Sequence, residues 1–428
     1  MKKSVTRLKK SKFIRNIAIL MSGTAIGQGM MVAAAPILSR IYDPTDFGVL
    51  GLFTALVSII SVIACWRYEL AIVLPKEDED AANVLALACL IVLFMTGITA
   101  ILVLLGRSWI AEQLGSSELG SYLWWLPISI LGAGLYQALN YWSTRRKKFK
   151  QLSISRIFRS FGTVGVQLPV GLMKVGASGL VGGQVAGQAI ATVVLGYQTW
   201  RNEKSFIYKA ISKTKIKKIF IENNEFPIYG SPQALLNSIS QNIPLFMLAY
   251  FFTPEIVGLY TLAHRLLSVP LGLISQSFKQ VIYQKISETY NKEGHVYEVV
   301  LKATVGLAAV GFIPMLIITF AGPKIFSLIL GEEWYFSGVY SQWLIIWMFL
   351  GFINTPTFVT AQVFKLQSFI LVYEIFLIIF RSAAFIVTGL YFDSVASIAV
   401  YSVIGTTFNI VLIVTVLFYL RNYQQLNR

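Results

Sequence analysis

The sequence has little with which to build a disulfide framework or a metal centre. Of its 428 residues only two are cysteine, Cys65 and Cys89, and only two are histidine, His264 and His295. Both cysteines lie inside apolar runs, where a thiol reads as a small buried hydrophobe, and zinc-type spacing is missing. No metal and no cofactor is expected. There is no Walker-type phosphate loop, which argues against ATP hydrolysis by this chain. Charge is scarce as well: Asp, Glu, Lys and Arg make up 13% of the residues, about half of what soluble chains carry.

What fills the space is apolar, 56% of the chain, and so apolar a chain needs lipid as its solvent. The net charge of +16 does not point to nucleic acid. Its basic residues sit in short segments between apolar runs, not on one face of a folded domain. Basic clusters beside membrane spans attract anionic lipid headgroups.

Runs of about 20 mainly apolar residues, the length that spans a bilayer, recur along the chain. They cover 13–39, 47–74, 82–105, 119–142, 152–173, 178–200, 226–252, 254–285, 296–322, 337–364, 367–391 and 394–420. The expected fold is an all-α integral membrane protein of about twelve transmembrane helices. The basic start, Met1 to Lys12, with the apolar run behind it resembles a signal peptide, and Ala33-Ala34-Ala35 mimics a cleavage site. The run is longer than the roughly 7–15 residues of such peptides, so it reads as an uncleaved first helix. With both termini cytoplasmic, 25 of the 36 basic residues fall on the cytoplasmic side, Lys365 and Arg428 among them, against Arg40, Arg107, Lys174 and Lys324 opposite. That asymmetry sets the orientation.

The longest polar segment, 201–225, is too short to fold alone. It reads as a basic cytoplasmic linker between two six-helix lobes, 1–200 and 226–428. The lobes look related. Tyr42-Asp43-Pro44 runs into Phe47-Gly48 before the second span, and Phe252-Thr253-Pro254 runs into Val257-Gly258 before the eighth. Six helices per lobe keep both lobes in one orientation, which implies a parallel repeat around a central cavity.

Ionisable groups at bilayer depth cost about 2.5–3.5 kcal/mol on insertion scales and persist where they meet a partner or water. Arg67 and Glu69 lie in the second span; two residues apart on a helix they point to different faces and are not expected to pair. Arg265 lies near the midplane of the eighth span and Arg381 midway along the eleventh. Glu374 shares a face with Arg381, about 10 Å away and too far for a direct salt bridge. Arg156 and Arg159 share the cytoplasmic end of the fifth span, where basic chains snorkel to headgroups. For Arg67, Arg265 and Arg381 a structural ion pair competes with a cationic cavity for a phosphate group, which arginine suits because it stays charged and presents a planar fork. In the seventh span Gln233, Asn237, Ser240, Gln241 and Pro244 fall on one helical face, and a polar stripe should face protein or water.

The remaining motifs have plainer readings. Gly179, Gly183 and Gly187 give two overlapping G-x-x-x-G spacings, a close-packing signature. Pro127, Pro169, Pro244, Pro270, Pro314 and Pro356 interrupt helices and allow kinks. Asp78-Glu79-Asp80 reads as a solvated turn capping the third span.

Taken together, Leu38-Ser39-Arg40-Ile41-Tyr42 with Pro44 and Phe47-Gly48, then Arg67-Tyr68-Glu69-Leu70-Ala71-Ile72 with Leu74-Pro75, then Gly258-Leu259-Tyr260 with Ala263 and Arg265 carry a resemblance. The chain resembles Wzx-type oligosaccharide flippases of the polysaccharide transporter family, within the multidrug/oligosaccharidyl-lipid/polysaccharide superfamily. The resemblance implies a bacterial inner-membrane flippase for undecaprenyl-pyrophosphate-linked repeat units of O-antigen, capsule or exopolysaccharide, with polysaccharide assembly proteins as partners. It implies no enzyme, and places Arg67, Glu69 and Arg265 at the pyrophosphate and saccharide; Arg159, Asn237, Gln241, Glu374 and Arg381 are added from depth and polarity. Two alternatives stay open. One is a multidrug cation antiporter of the same superfamily, which would be expected to carry carboxylates in its lumen. The other is a membrane polysaccharide polymerase or ligase, which would need a large extracytoplasmic loop; the longest here, 323–336, has about fourteen residues.

Overall fold

Two helices begin on a proline that follows a capping position, and they show how the repeated motif acts. Pro44 opens α2 (Pro44–Ser61) after Asp43, whose backbone N–H donates to Asp46 Oδ2 at 3.2 Å, and Pro254 opens α11 (Pro254–Asn291) after Thr253. Proline suits this place because its missing N–H would have had no helical partner. Tyr42, just ahead of the first motif, donates its hydroxyl to the Gln167 carbonyl at 2.6 Å.

The computed structural model describes residues 2–364 and 366–426, so Lys365 and Arg428 lie outside the described residues. All regular structure among the described residues is helical. α1 (Lys2–Leu38) precedes α2; α3 (Tyr68–Ala71), α4 (Asp78–Gln113), α5 (Ser117–Tyr122), α6 (Leu126–Arg145), α7 (Phe149–Leu172), α8 (Ser178–Ala210), α9 (Lys213–Glu222) and α10 (Ser231–Phe251) lead to α11. Then come α12 (Val296–Leu330), α13 (Tyr335–Ile353), α14 (Thr355–Val363), α15 (Gln367–Tyr391) and α16 (Ser394–Leu426). Among the described residues nine stretches are long and apolar enough to cross a membrane: α1, α2, α4, α8, α11, α12, α13 with α14, α15 and α16. α6, α7 and α10 are of spanning length, at 20, 24 and 21 residues, but more polar.

The chain divides into two compact units, 1–246 and 247–428. In the first, α7 packs on α8 and α1, and α4 on α6. Its core holds Tyr68, Val92 and Trp142. In the second, α12 packs on α13, α13 on α11 and α16, and α15 on α16. The expected linker over 201–225 is helix: α8 runs on to Ala210, and α9 buries Ile219 against α4. Asn83 ties this join, donating to the Ala210 carbonyl at 2.8 Å and accepting from Ser212 N–H at 2.7 Å. Polarity had marked the segment as a loop; its isoleucines three apart make one buried face of a helix.

Several other expectations change. The second span is not one helix: α2 stops at Ser61, and the chain turns before the single turn of α3. The tenth is split at Asn354 between α13 and α14. The loop expected over 323–336 is largely helix, with Pro323 inside α12. Pro127 and Pro356 sit at helix starts, while Pro169, Pro244, Pro270 and Pro314 lie inside continuous helices. The glycines of α8 do pack closely: a Cβ on Gly187 would stand 2.6 Å from the Arg159 carbonyl oxygen of α7.

Candidate functional site

The turn between α2 and α3 holds the first candidate pair. Trp66 and Arg67 both adopt left-handed backbone, φ 48° and 62°, which only glycine takes without cost. Leaving α2 this way removes the helical geometry from which Arg67 and Glu69 were expected to diverge. They instead face each other, Arg67 Nη1 lying 3.4 Å from Glu69 Oε1. The Glu69 side chain is fully buried and that of Arg67 is 24% exposed. Gln137 of α6 donates its Nε2 to Glu69 Oε1 at 3.2 Å. Neighbouring side chains hold the turn: Trp66 Nε1 donates to Met95 Sδ, and the Tyr68 hydroxyl to the Phe220 carbonyl of α9 at 2.8 Å.

The second unit buries Arg381 of α15 to 9% exposure. Its guanidinium carbon lies 4.3 Å from the Trp347 ring centre and 4.0 Å from that of Tyr401, and Nη1 donates to the Tyr401 hydroxyl at 3.2 Å. Cation–π contact of a desolvated guanidinium contributes about 2 kcal/mol. Gly405 of α16 makes room for it, since a Cβ there would overlap Nη2. Nε and Nη2 are buried without a hydrogen-bond partner among the described residues. Glu374 is half-buried on the same helix and makes no ion pair among the described residues, as its spacing led one to expect. Arg265 is half-buried in α11, beside His264, whose ring stacks on Tyr260 at 5.6 Å.

The polar stripe of α10 divides. Gln233, Asn237 and Gln241 are exposed, and Gln241 Nε2 donates to Asn237 Oδ1 at 2.7 Å. The face that meets α2 is the adjacent one, with Asn242 Nδ2 donating to Ser58 Oγ at 2.9 Å. Arg159 is half-buried in α7, and Arg156 donates Nη1 to Thr24 Oγ1 of α1 at 2.6 Å instead of reaching outward. The structure thus brings Arg67 and Glu69 together within the first unit, and Glu374, Arg381 and Arg265 belong to the second.

Asp78-Glu79-Asp80 is not a free solvated turn. Asp78 takes Arg145 Nη2 at 2.9 Å and also pairs with Arg146, while Asp80 takes Lys215 Nζ at 2.9 Å. Glu203 of α8, 6% exposed, accepts from Arg146 Nε at 2.9 Å, Lys148 Nζ at 2.6 Å and Trp142 Nε1 at 2.6 Å. The hydrogen bond from Glu203 holds the Arg146 guanidinium charged, above its ordinary value. The basic turn read as a topology signal therefore also joins α4, α6, α7 and α8. Glu203→Ala would strand a partly buried cation pair and is expected to cost about 3 kcal/mol, read as a lower thermal midpoint of the purified protein; an unchanged midpoint would show that the cluster is dispensable.

Comparison with known proteins follows the same lines. Residues 37–337 match the model of a family described as polysaccharide biosynthesis protein. The teichuronic acid biosynthesis protein TuaB of Bacillus subtilis (strain 168) is 23% identical over 218 residues, which is 49% of this chain and 42% of that protein's length. The lipid II flippase MurJ, in an inward closed conformation, superposes with a TM-score of 0.71 at 14% identity, over 95% of this chain and 87% of that one. A multidrug resistance MATE family transporter of the MOP superfamily, inward-facing, superposes with a TM-score of 0.63 at 13% identity, over 96% of this chain and 98% of that one. At such identities the superpositions establish the fold, that of the MOP superfamily transporters. The long family match establishes the rest: this multi-pass membrane chain belongs to the polysaccharide biosynthesis protein family.

Proposed function

We propose that the protein is a flippase that carries an undecaprenyl-pyrophosphate-linked oligosaccharide, a repeat unit of O-antigen, capsule or exopolysaccharide, across the bacterial inner membrane. It works by alternating access, with twelve crossings and both termini cytoplasmic. The observation that carries the reading is the buried Arg381, whose two unpartnered donors suit an anion, in a chain of a polysaccharide biosynthesis family. A bare phosphate in a low-dielectric interior is prohibitive, and a fixed cation compensates it. Arg67, Arg265 and Arg381 take that role. Asn237, Gln241 and the half-buried Arg159 line the path for the saccharide, and Glu69 and Glu374 set the local charge. A cation antiporter would want unpaired buried carboxylates; among the described intramembrane acids Glu69 faces an arginine.

The test is a deletion strain. Loss of the gene should stop surface polymer and leave the lipid-linked repeat unit on the cytoplasmic side, shielded from an extracytoplasmic probe in intact spheroplasts. Normal polymer, or repeat units that reach the outer leaflet at wild-type rate, would overturn the assignment.

A further inference from the structure

The contact between Arg67 and Glu69 has features of a provisional pair. Their closest approach is 3.4 Å, beyond the roughly 2.7–2.9 Å of a tight charge-assisted hydrogen bond. Arg67 Nε and Glu69 Oε2 are both buried without a hydrogen-bond partner among the described residues. The two members differ in access: the carboxylate is sealed, while the guanidinium is 24% exposed. Glu69 has a second tether, Gln137, on the same oxygen that faces Arg67. It can therefore stay in place when the guanidinium turns away. Arg67 stands on a left-handed backbone at a turn, where small rotations redirect a long side chain.

We infer that Glu69 is a built-in competitor for Arg67, holding its guanidinium while the site is empty and opposing the phosphate that replaces it. The inference rests on the proposal that Arg67 meets an anionic cargo. An unpaired arginine in apolar surroundings carries a desolvation penalty, and Glu69 relieves it between cargoes. A phosphate arriving from the exposed side takes over the guanidinium donors, and the sealed carboxylate behind then repels it. Glu69 thus lowers affinity so that the cargo leaves again, as transport requires. It positions no reacting atom; it sets how tightly the anion is held.

The test uses the purified full chain in nanodiscs, with farnesyl pyrophosphate as probe and farnesol as its uncharged control. Wild type should prefer the pyrophosphate. Arg67→Ala should weaken that binding at least tenfold. Glu69→Gln, which keeps the Gln137 hydrogen bond, should tighten it about tenfold, or about 1.4 kcal/mol, and slow polymer export in cells. The double variant should bind like Arg67→Ala, because Glu69 acts through Arg67. Glu69→Asp, which withdraws the charge by one methylene, should fall between wild type and Glu69→Gln and carries the test if the glutamine variant does not fold. If Arg67→Ala loses binding while Glu69→Gln and Glu69→Asp bind no tighter than wild type, Glu69 is merely a strut and the inference fails, with the proposed function intact. If wild type does not distinguish pyrophosphate from alcohol, the proposed anionic cargo fails and this inference with it.

Discussion

Gly187→Leu is expected to remove most of the protein from the membrane fraction. The reason is backbone against backbone. A Cβ at Gly187 would meet the Arg159 carbonyl oxygen at 2.6 Å and the Thr163 nitrogen at 2.9 Å, and at Gly183 the Thr163 carbonyl oxygen at 2.7 Å. These are main-chain atoms of α7, so no rotamer change relieves them, and the two helices must part along the face that holds them together. Overpacking of side chains costs about 1–3 kcal/mol; a forced helix separation costs more, against a total stability of about 5–15 kcal/mol. Gly187→Ala should be milder, and Val193→Leu, on the exposed face of α8, should be neutral. Membrane abundance by immunoblot and monodispersity by size exclusion read the series. Wild-type abundance of Gly187→Leu would show that α7 and α8 do not pack as described.

Arg381→Met is expected to do the reverse, sparing the fold and stopping export. Replacing a buried ion by an apolar side chain of similar length is often neutral or stabilising, and methionine can fill the slot between Trp347 and Tyr401. Loss of a desolvated contact to an anionic cargo costs about 3–5 kcal/mol, which corresponds to at least about a hundredfold in binding. Surface polymer should fall by that order while the thermal midpoint holds or rises. A lower midpoint with polymer retained would assign Arg381 to packing alone.

Much of the helical layout is readable from hydropathy, because long apolar runs have few alternatives in lipid. Pro44 and Pro254 mark helix starts for a local reason, and the glycine spacing of α8 marks a close approach. The break at Trp66-Arg67 is not readable in the same way. It contains neither glycine nor proline, so the usual punctuation is missing and the helical rule misjudged the Arg67–Glu69 pair. The split at Asn354 did carry a signal, Pro356 two residues on. Partners distant in sequence stay hidden for another reason. Asp78 and Arg145 are 67 positions apart, and nothing in a run of basic residues says that an acid awaits it. Trp347 and Tyr401 belong to a chain with 9 tryptophans and 20 tyrosines, so no local pattern singles them out as the walls around Arg381.

The left-handed turn at Arg67 sets two engineering goals against each other. With φ at 62°, glycine there would be easier on the backbone by about 1 kcal/mol. A directed-evolution campaign that selects only for heat resistance or expression would be drawn toward Arg67→Gly. It would harvest better-behaved protein stripped of the charge on which the proposed chemistry depends. Libraries built on this scaffold should hold position 67 constant, or screen export alongside yield.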